Sequence, residues 1–198
     1  NIDSVKSVEN VYRGFIKRGD WDRKTGSITS SKFKALKKRF EEDLDWEETD
    51  IYTSLRDLLE RKGNVDGCHS LEGLKDKYEN YVEELYREIQ ENGYRTQVEL
   101  GNTPESKPGK GEVYVSIGRD GELIHGNRGW HRFSIARILD LEKMPVQVIL
   151  RHRKWQDLRE EIVNTEDFDE LSEKAKENID HPDLKDIVPE SWMRRSDA

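Results

Sequence analysis

Apolar positions recur at helical spacing through the first half of the chain, and the period changes after Tyr94. Phe33, Leu36, Phe40 and Leu44 follow Ser30 and Ser31, two residues suited to cap a helix, and predict a helix over 31–43. Ile51, Leu55, Leu58 and Leu59 line one side of a second helix that Gly63 stops. The acids of Asp45-Trp46-Glu47-Glu48-Thr49-Asp50 precede it and suit the positive end of its dipole. Ser70 opens a third helix, with Leu71, Leu74, Tyr78, Tyr81, Val82, Leu85 and Ile89 as its buried stripe and Gly93 as its close. The first 93 residues therefore read as a helical region.

Beyond Tyr94, Val98 and Leu100 begin a strand-like run, which the loop Asn102–Gly111, with Pro104, Pro108 and Gly109, interrupts. Val113, Val115 and Ile117 alternate with Tyr114 and Ser116, Arg119-Asp120-Gly121-Glu122 supplies a turn, and Leu123-Ile124 starts the return strand. Phe133, Ile135, Ala136, Ile138 and Leu139 predict a short helix, and the apolar run from Pro145 to Leu150 a final strand. Residues 154–163 and 169–179 read as outer helices, and His181-Pro182-Asp183 as a helix start. The expected fold class is α+β: a helical part, 1–93, packed on a small mixed sheet within 94–163, with an acidic helical tail, 164–198.

Composition narrows the function classes. The chain has 198 residues, 33% hydrophobic and 38% charged, so its core is modest, yet five Trp, seven Tyr and five Phe provide bulky anchors. One compact domain with appended helices is expected from this length. No apolar stretch approaches the ~20 residues of a spanning helix, so no membrane partner is expected. The lone Cys68 excludes an internal disulfide and a cysteine-rich zinc site, and suits a reducing, cytoplasmic setting. Net charge is −3 over residues 1–110, +3 over 111–155 and −8 over 156–198. A small cationic island between acidic flanks suits a compact anion such as a nucleotide better than a long duplex; ordinary surface charge is the alternative.

The segment between hairpin and short helix carries the chemistry. It reads Gly126-Asn127-Arg128-Gly129-Trp130-His131-Arg132-Phe133-Ser134-Ile135-Ala136. A glycine turn entering a helix presents backbone N–H groups and the positive dipole end, which suits a phosphate. Arg132 would add a charge-assisted contact and His131 a donor. A plain turn with a solvated arginine and a packed histidine is the competing reading. Arg151-His152-Arg153 would close on phosphates from the sheet edge, or be surface. Glu112 is a candidate general base toward a hydroxyl. His69 and His125 have no partner at metal-ligand spacing. Tyr12, Phe15, Trp21, Trp46 and Tyr52 either line a pocket over the motif or belong to the core.

From Val113 to Leu150 the chain resembles the ParB/sulfiredoxin-like domain, on the order strand, Asp-Gly turn, strand, Gly-x-His-Arg, helix with Ala, Pro-Val strand. Gly19-Asp20-Trp21-Asp22 and Phe40-Glu41-Glu42 also resemble stretches of uncharacterised ParB-like proteins. That superfamily includes CTP-binding partitioning proteins, sulfinic-acid reductases and small ATP- or ADP-dependent serine kinases. The resemblance implies that Gly129, His131 and Arg132 hold nucleotide phosphates; Trp130, Ser134 and Arg151 are expected to complete the cofactor-binding set. Trp130 occupies the slot of the sulfiredoxin cysteine, so sulfinic-acid reduction is not expected. The kinases carry an acid two residues before the motif histidine; Gly129 stands there, so Glu112 or Asp120 would have to assist. Partitioning proteins need a helix-turn-helix after this domain, and the 43 acidic-rich residues beyond 155 compose poorly for DNA.

The expectation is thus a nucleotide-binding protein using ATP, or CTP, with Mg²⁺, and transferring a phosphoryl group to a small hydroxylated acceptor. Glu112, Asp120 and His131 would be its catalytic residues. The alternatives are a CTP- or ATP-switched module that binds DNA or a protein without turnover, a ParB-like nuclease with Glu99, Glu112 and Asp120 around metal, and a fold that has lost its ligand.

Overall fold

The computed structural model describes residues 6–7, 15–23, 31–102, 111–126 and 128–193, the first two by backbone alone. Tyr12, Ser30, Asn127 and most of the loop predicted after Asn102 lie outside the described residues. The described chain is α+β and divides into two compact units, where the sequence suggested one domain with appendages. A helical unit gathers residues 31–102, 111–114 and 128–147; a sheet unit gathers 6–7, 15–23, 115–126 and 148–193. Neither follows the segmentation at 93 and 163, because each unit draws on stretches far apart in sequence.

In the helical unit, α1 (Ser31–Glu41), α2 (Ile51–Lys62), α3 (Leu71–Asp76), α4 (Glu83–Asn92) and α5 (Trp130–Ile138) surround a core of Leu36, Trp46, Ile51, Leu55, Leu74, Tyr78, Val82, Ile89 and Ile135. Local chemistry fixes the ends. The Asp45 N–H donates to Glu48 at 2.9 Å at the head of the 3₁₀ turn Trp46–Thr49. Gly63 (φ 69°) takes the left-handed close of α2, its N–H donating to the Leu59 carbonyl at 2.7 Å. Ser70 caps α3 by accepting the Gly73 N–H at 3.1 Å. Trp46 and Tyr52 are therefore core, and Phe40 stacks on Tyr86 at 3.9 Å.

The third predicted helix is interrupted by a π-helical segment, Lys77–Val82. The wider turn shifts the stripe by a residue, so Tyr78 and Val82 are buried while Tyr81 is 48% exposed, against the sequence reading. The strand expected around Val98 is also replaced, by turns over 97–101. Thr96 and Glu99 explain this, since Glu99 accepts the Thr96 N–H at 2.7 Å while Thr96 Oγ1 accepts the Glu99 N–H at 3.2 Å. That reciprocal pair is a capping box that folds the segment locally.

The sheet has the order β1-β4-β3-β5-β2, with β1 Lys6–Ser7, β2 Phe15–Lys17, β3 Tyr114–Ile117, β4 Leu123–His125 and β5 Gln147–His152. It belongs to the sheet unit save the leading residues of β3 and β5. The predicted hairpin forms, with Val115 opposite His125 and Ile117 opposite Leu123 in antiparallel register. β1 is parallel to β4, and β2 is parallel to β5 with Phe15 opposite Leu150. On this edge strand Phe15 is 65% exposed, so it is not core.

The helices α6 (Arg153–Asn164), α7 (Glu173–Glu177) and α8 (Glu190–Met193) complete the unit. Its core joins Val115, Ile117, Trp155, Leu158, Ile162, Ile179, Leu184 and Trp192. His181-Pro182-Asp183 begins turns and not a helix, as the Asp183 N–H donates to His181 Nδ1 at 3.1 Å. The Gly19-Asp20-Trp21-Asp22 turn has a structural role here. Asp22 accepts from Arg119 Nε at 2.8 Å, Nη2 at 2.6 Å and backbone N at 2.9 Å, joining the turn to the hairpin tip.

Candidate functional site

The glycine turn of the motif is shaped by backbone crowding. Gly129 (φ 76°) precedes α5, and a Cβ there would lie 2.6 Å from Val113 Cα and 2.9 Å from its nitrogen. Any side chain would push the turn off the segment entering β3. Two hydrogen bonds hold that segment: Gln147 N–H to the Val113 carbonyl at 2.8 Å, and Tyr114 N–H to the Arg128 carbonyl at 3.4 Å. Gly129, at the cap position of α5, has no side chain to cap the helix.

Arg132, one turn in, is only 6% exposed. Its guanidinium lies over the Tyr94 ring, 5.4 Å from the centroid, and Nη1 donates to the Arg95 carbonyl at 3.1 Å. With its amide oxygen turned toward the guanidinium, Gln97 accepts from Nε at 3.3 Å. Among the described residues no carboxylate pairs with Arg132. The groups in direct contact with the guanidinium are therefore neutral, and the carboxylate of Glu112 lies beyond two of them. Glu112, also buried, bonds to the same two residues: its Oε1 accepts the Gln97 N–H at 2.5 Å and its Oε2 the Tyr94 hydroxyl at 3.3 Å. Burial is the main reason the Tyr94 hydroxyl is pushed up to about 12, with Glu112 adding to it against Arg132.

His131 belongs to a second polar cluster. Its Nε2 lies 3.4 Å from the Tyr78 hydroxyl and 3.8 Å from Asp66 Oδ2, and burial pulls its pKa down to about 4. At neutral pH it is therefore an uncharged donor or acceptor. Lys32 Nζ meets both Asp66 oxygens, at 2.7 and 2.6 Å. Burial favours the protonated acid at Asp66, but Lys32, His131 and Lys77 override it and lower the pKa. Tyr78, raised by burial and by Asp66, stays a phenol. The histidine thus ties α5 to the π segment in the core.

The remaining expected residues fall in several places. Trp130 is half-buried, its ring 6.2 Å from Phe133. Ser134 is fully buried, with no hydrogen-bond partner for its hydroxyl among the described residues. Asp120 and Arg151 belong to the sheet unit. Asp120 is exposed and paired with Lys174 Nζ at 2.5 Å, which lowers its pKa. Arg151 is an inner residue of β5 rather than a free strand end, and forks onto Asp183 at 2.8 and 2.6 Å. The residues sequence reasoning missed are Tyr94, Gln97, Tyr78 and Asp66. Only Asp66 carried a signal, an Asp66-Gly67 pair whose φ values of 53° and 83° make the tight turn between Val65 and Cys68.

Among the described residues no three His, Cys, Asp or Glu side chains are grouped as a metal site, and no helix is long and apolar enough to cross a membrane. Compared with family models, curated proteins and solved structures, the chain has no match.

Proposed function

We propose that the helical unit is a nucleotide-binding module of ParB/sulfiredoxin-like type, which takes nucleotide phosphates on the Gly129–Arg132 turn. The observation that carries this reading is Arg132, a buried guanidinium with neutral direct partners in the first turn of a helix that opens on glycine. Phosphate oxygens would supply a counter-charge in direct contact with the guanidinium, and the α5 N–H groups would direct them. ATP or CTP is the expected ligand class. Phosphoryl transfer to a hydroxylated acceptor finds less support. Glu112 has both oxygens engaged, which leaves no ready ligand for Mg²⁺ and no free base, and His131 is occupied in the core. A binding or switching role without turnover fits these groups better, with the protein or DNA it acts on unspecified.

The test is calorimetric titration with ATP, ADP and CTP, each with and without Mg²⁺, on the wild type, Arg132→Lys and Arg132→Ala. Saturable binding is expected, weakened at least ~10-fold in Arg132→Ala and less in Arg132→Lys, with unchanged circular dichroism. Absence of binding by all three nucleotides at millimolar concentration defeats the reading.

A further inference from the structure

The sheet unit contains a cleft of about 480 Å³ that the motif reading leaves unused. It opens between the Gly19-Asp20 turn and the start of α6, within the size range of small-ligand sites. Its walls are Gly19 and polar or charged side chains, whose carbon stems supply apolar surface.

His152 holds the two walls in fixed relation. Its Nε2 donates to the Gly19 carbonyl at 2.9 Å, and its Nδ1 accepts the Lys154 N–H at 3.1 Å as the cap of α6. The two contacts are compatible with a single neutral tautomer, protonated on Nε2. The Trp21 ring lies 6.0 Å from the imidazole, and Arg119 clamps Asp22 behind the turn. The turn and the start of α6 are therefore held together without a ligand.

Charge selects the ligand. Arg119 is neutralised by Asp22 and Asp20, at 2.6 and 2.8 Å, and Arg153 by Asp157 and Glu160, at 2.6 and 2.8 Å. Arg18 and Lys154 are exposed and, among the described residues, have no ion-pair partner. Arg153 and Lys154 also open α6, a 12-residue helix with no acid in its first turn, where cations oppose the dipole. An anion in the cleft relieves both. Asp20 and Asp157 line the same cleft and offer carboxylate acceptors to hydroxyl groups.

We propose that this cleft binds a small hydroxylated phosphate ester of the sugar-phosphate class, with Arg18 and Lys154 on the phosphate and Asp20 and Asp157 on the hydroxyls. Two unpaired cations match the charge of a phosphate monoester, and the carboxylates of Asp20 and Asp157 in the lining suit the hydroxyls of a sugar.

Titration of the full chain with ribose 5-phosphate, inorganic phosphate and ribose tests this. Ribose 5-phosphate should bind saturably, phosphate more weakly and ribose not at all. Lys154→Glu and Arg18→Ala should each weaken the ester at least ~10-fold, and Lys154→Arg should restore it, since the phosphate contact needs only a cation at that place. Both side chains are exposed, so circular dichroism should be unchanged. No saturable binding of ribose 5-phosphate, or binding indifferent to Lys154→Glu and Arg18→Ala, overturns the assignment.

Discussion

Arg132 stands apart from the paired arginines of both units, which in the helical unit include Arg39 with Glu83 at 2.6 Å and Arg95 with Glu88 at 2.6 Å. In the sheet unit, Arg119, Arg151 and Arg159 each meet a carboxylate, Asp22 at 2.6 Å, Asp183 at 2.6 Å and Asp186 at 2.7 Å. Asp183 also accepts the Trp155 indole N–H at 2.9 Å, so these pairs are architectural joints between strand, helix and turn. In the helical unit Arg132 has an aromatic face, a carbonyl and an amide instead. Neutral partners satisfy the donors of a guanidinium but not its charge. Paired arginines thus mark construction, whereas an arginine buried among neutral groups marks capacity for an anion.

Acid should produce the largest effect and act on both units alike. Burial lowers His131 in the helical unit and His125 in the sheet unit from 6.5 to about 4. Between those values the unfolded chain binds more protons than the folded one, so stability is full above pH 6.5 and falls as pH drops towards 4. Each histidine should account for about 3 kcal/mol, read from urea midpoints across that range, with His125→Gln and His131→Gln each removing part of the slope. A flat profile would mean that neither imidazole is desolvated as described.

The next effect separates the units. Burial would raise the Asp22 carboxyl, yet hydrogen bonds from Arg119 hold it well below its ordinary range. Asp22→Asn should cost about 2–3 kcal/mol in urea unfolding, because it leaves the guanidinium short of its main counter-charge. A loss below about 1 kcal/mol would remove the contrast between paired and unpaired arginines. The smallest effect is expected at Asp120, whose pair with Lys174 is exposed. Asp120→Asn should change stability by less than about 0.5 kcal/mol, and a larger loss would place that acid in the architecture.

Local features of the fold were legible in the sequence, and distant ones were not. Gly63, Ser70 and the Asp120-Gly121 turn act through neighbours a few residues away, so their residue types announce them. The π segment gave no such sign, because Tyr78, Tyr81 and Val82 suit an α-helical stripe equally well. The Thr96-x-x-Glu99 pair was present but masked by the apolar alternation of Val98 and Leu100. β2 was missed because its partner lies in β5, far along the chain. Of the candidate site, the glycine and the basic residues could be read, but not their company. Tyr94, Gln97 and Asp66 reach the motif through tertiary packing that no spacing rule encodes.

The parallel pairing of β2 with β5 has a consequence for a chain made from its N-terminus. Phe15 to Lys17 leave the ribosome long before Leu150 to His152 exist, so this edge must wait unpaired through most of synthesis. The core residues of the helical unit have all emerged by Leu141, whereas Trp155, Ile162 and Trp192 come last. Vectorial synthesis therefore lets the helical core assemble first, while the sheet closes only as the segment from Val148 onward arrives and offsets the entropy of its long connections.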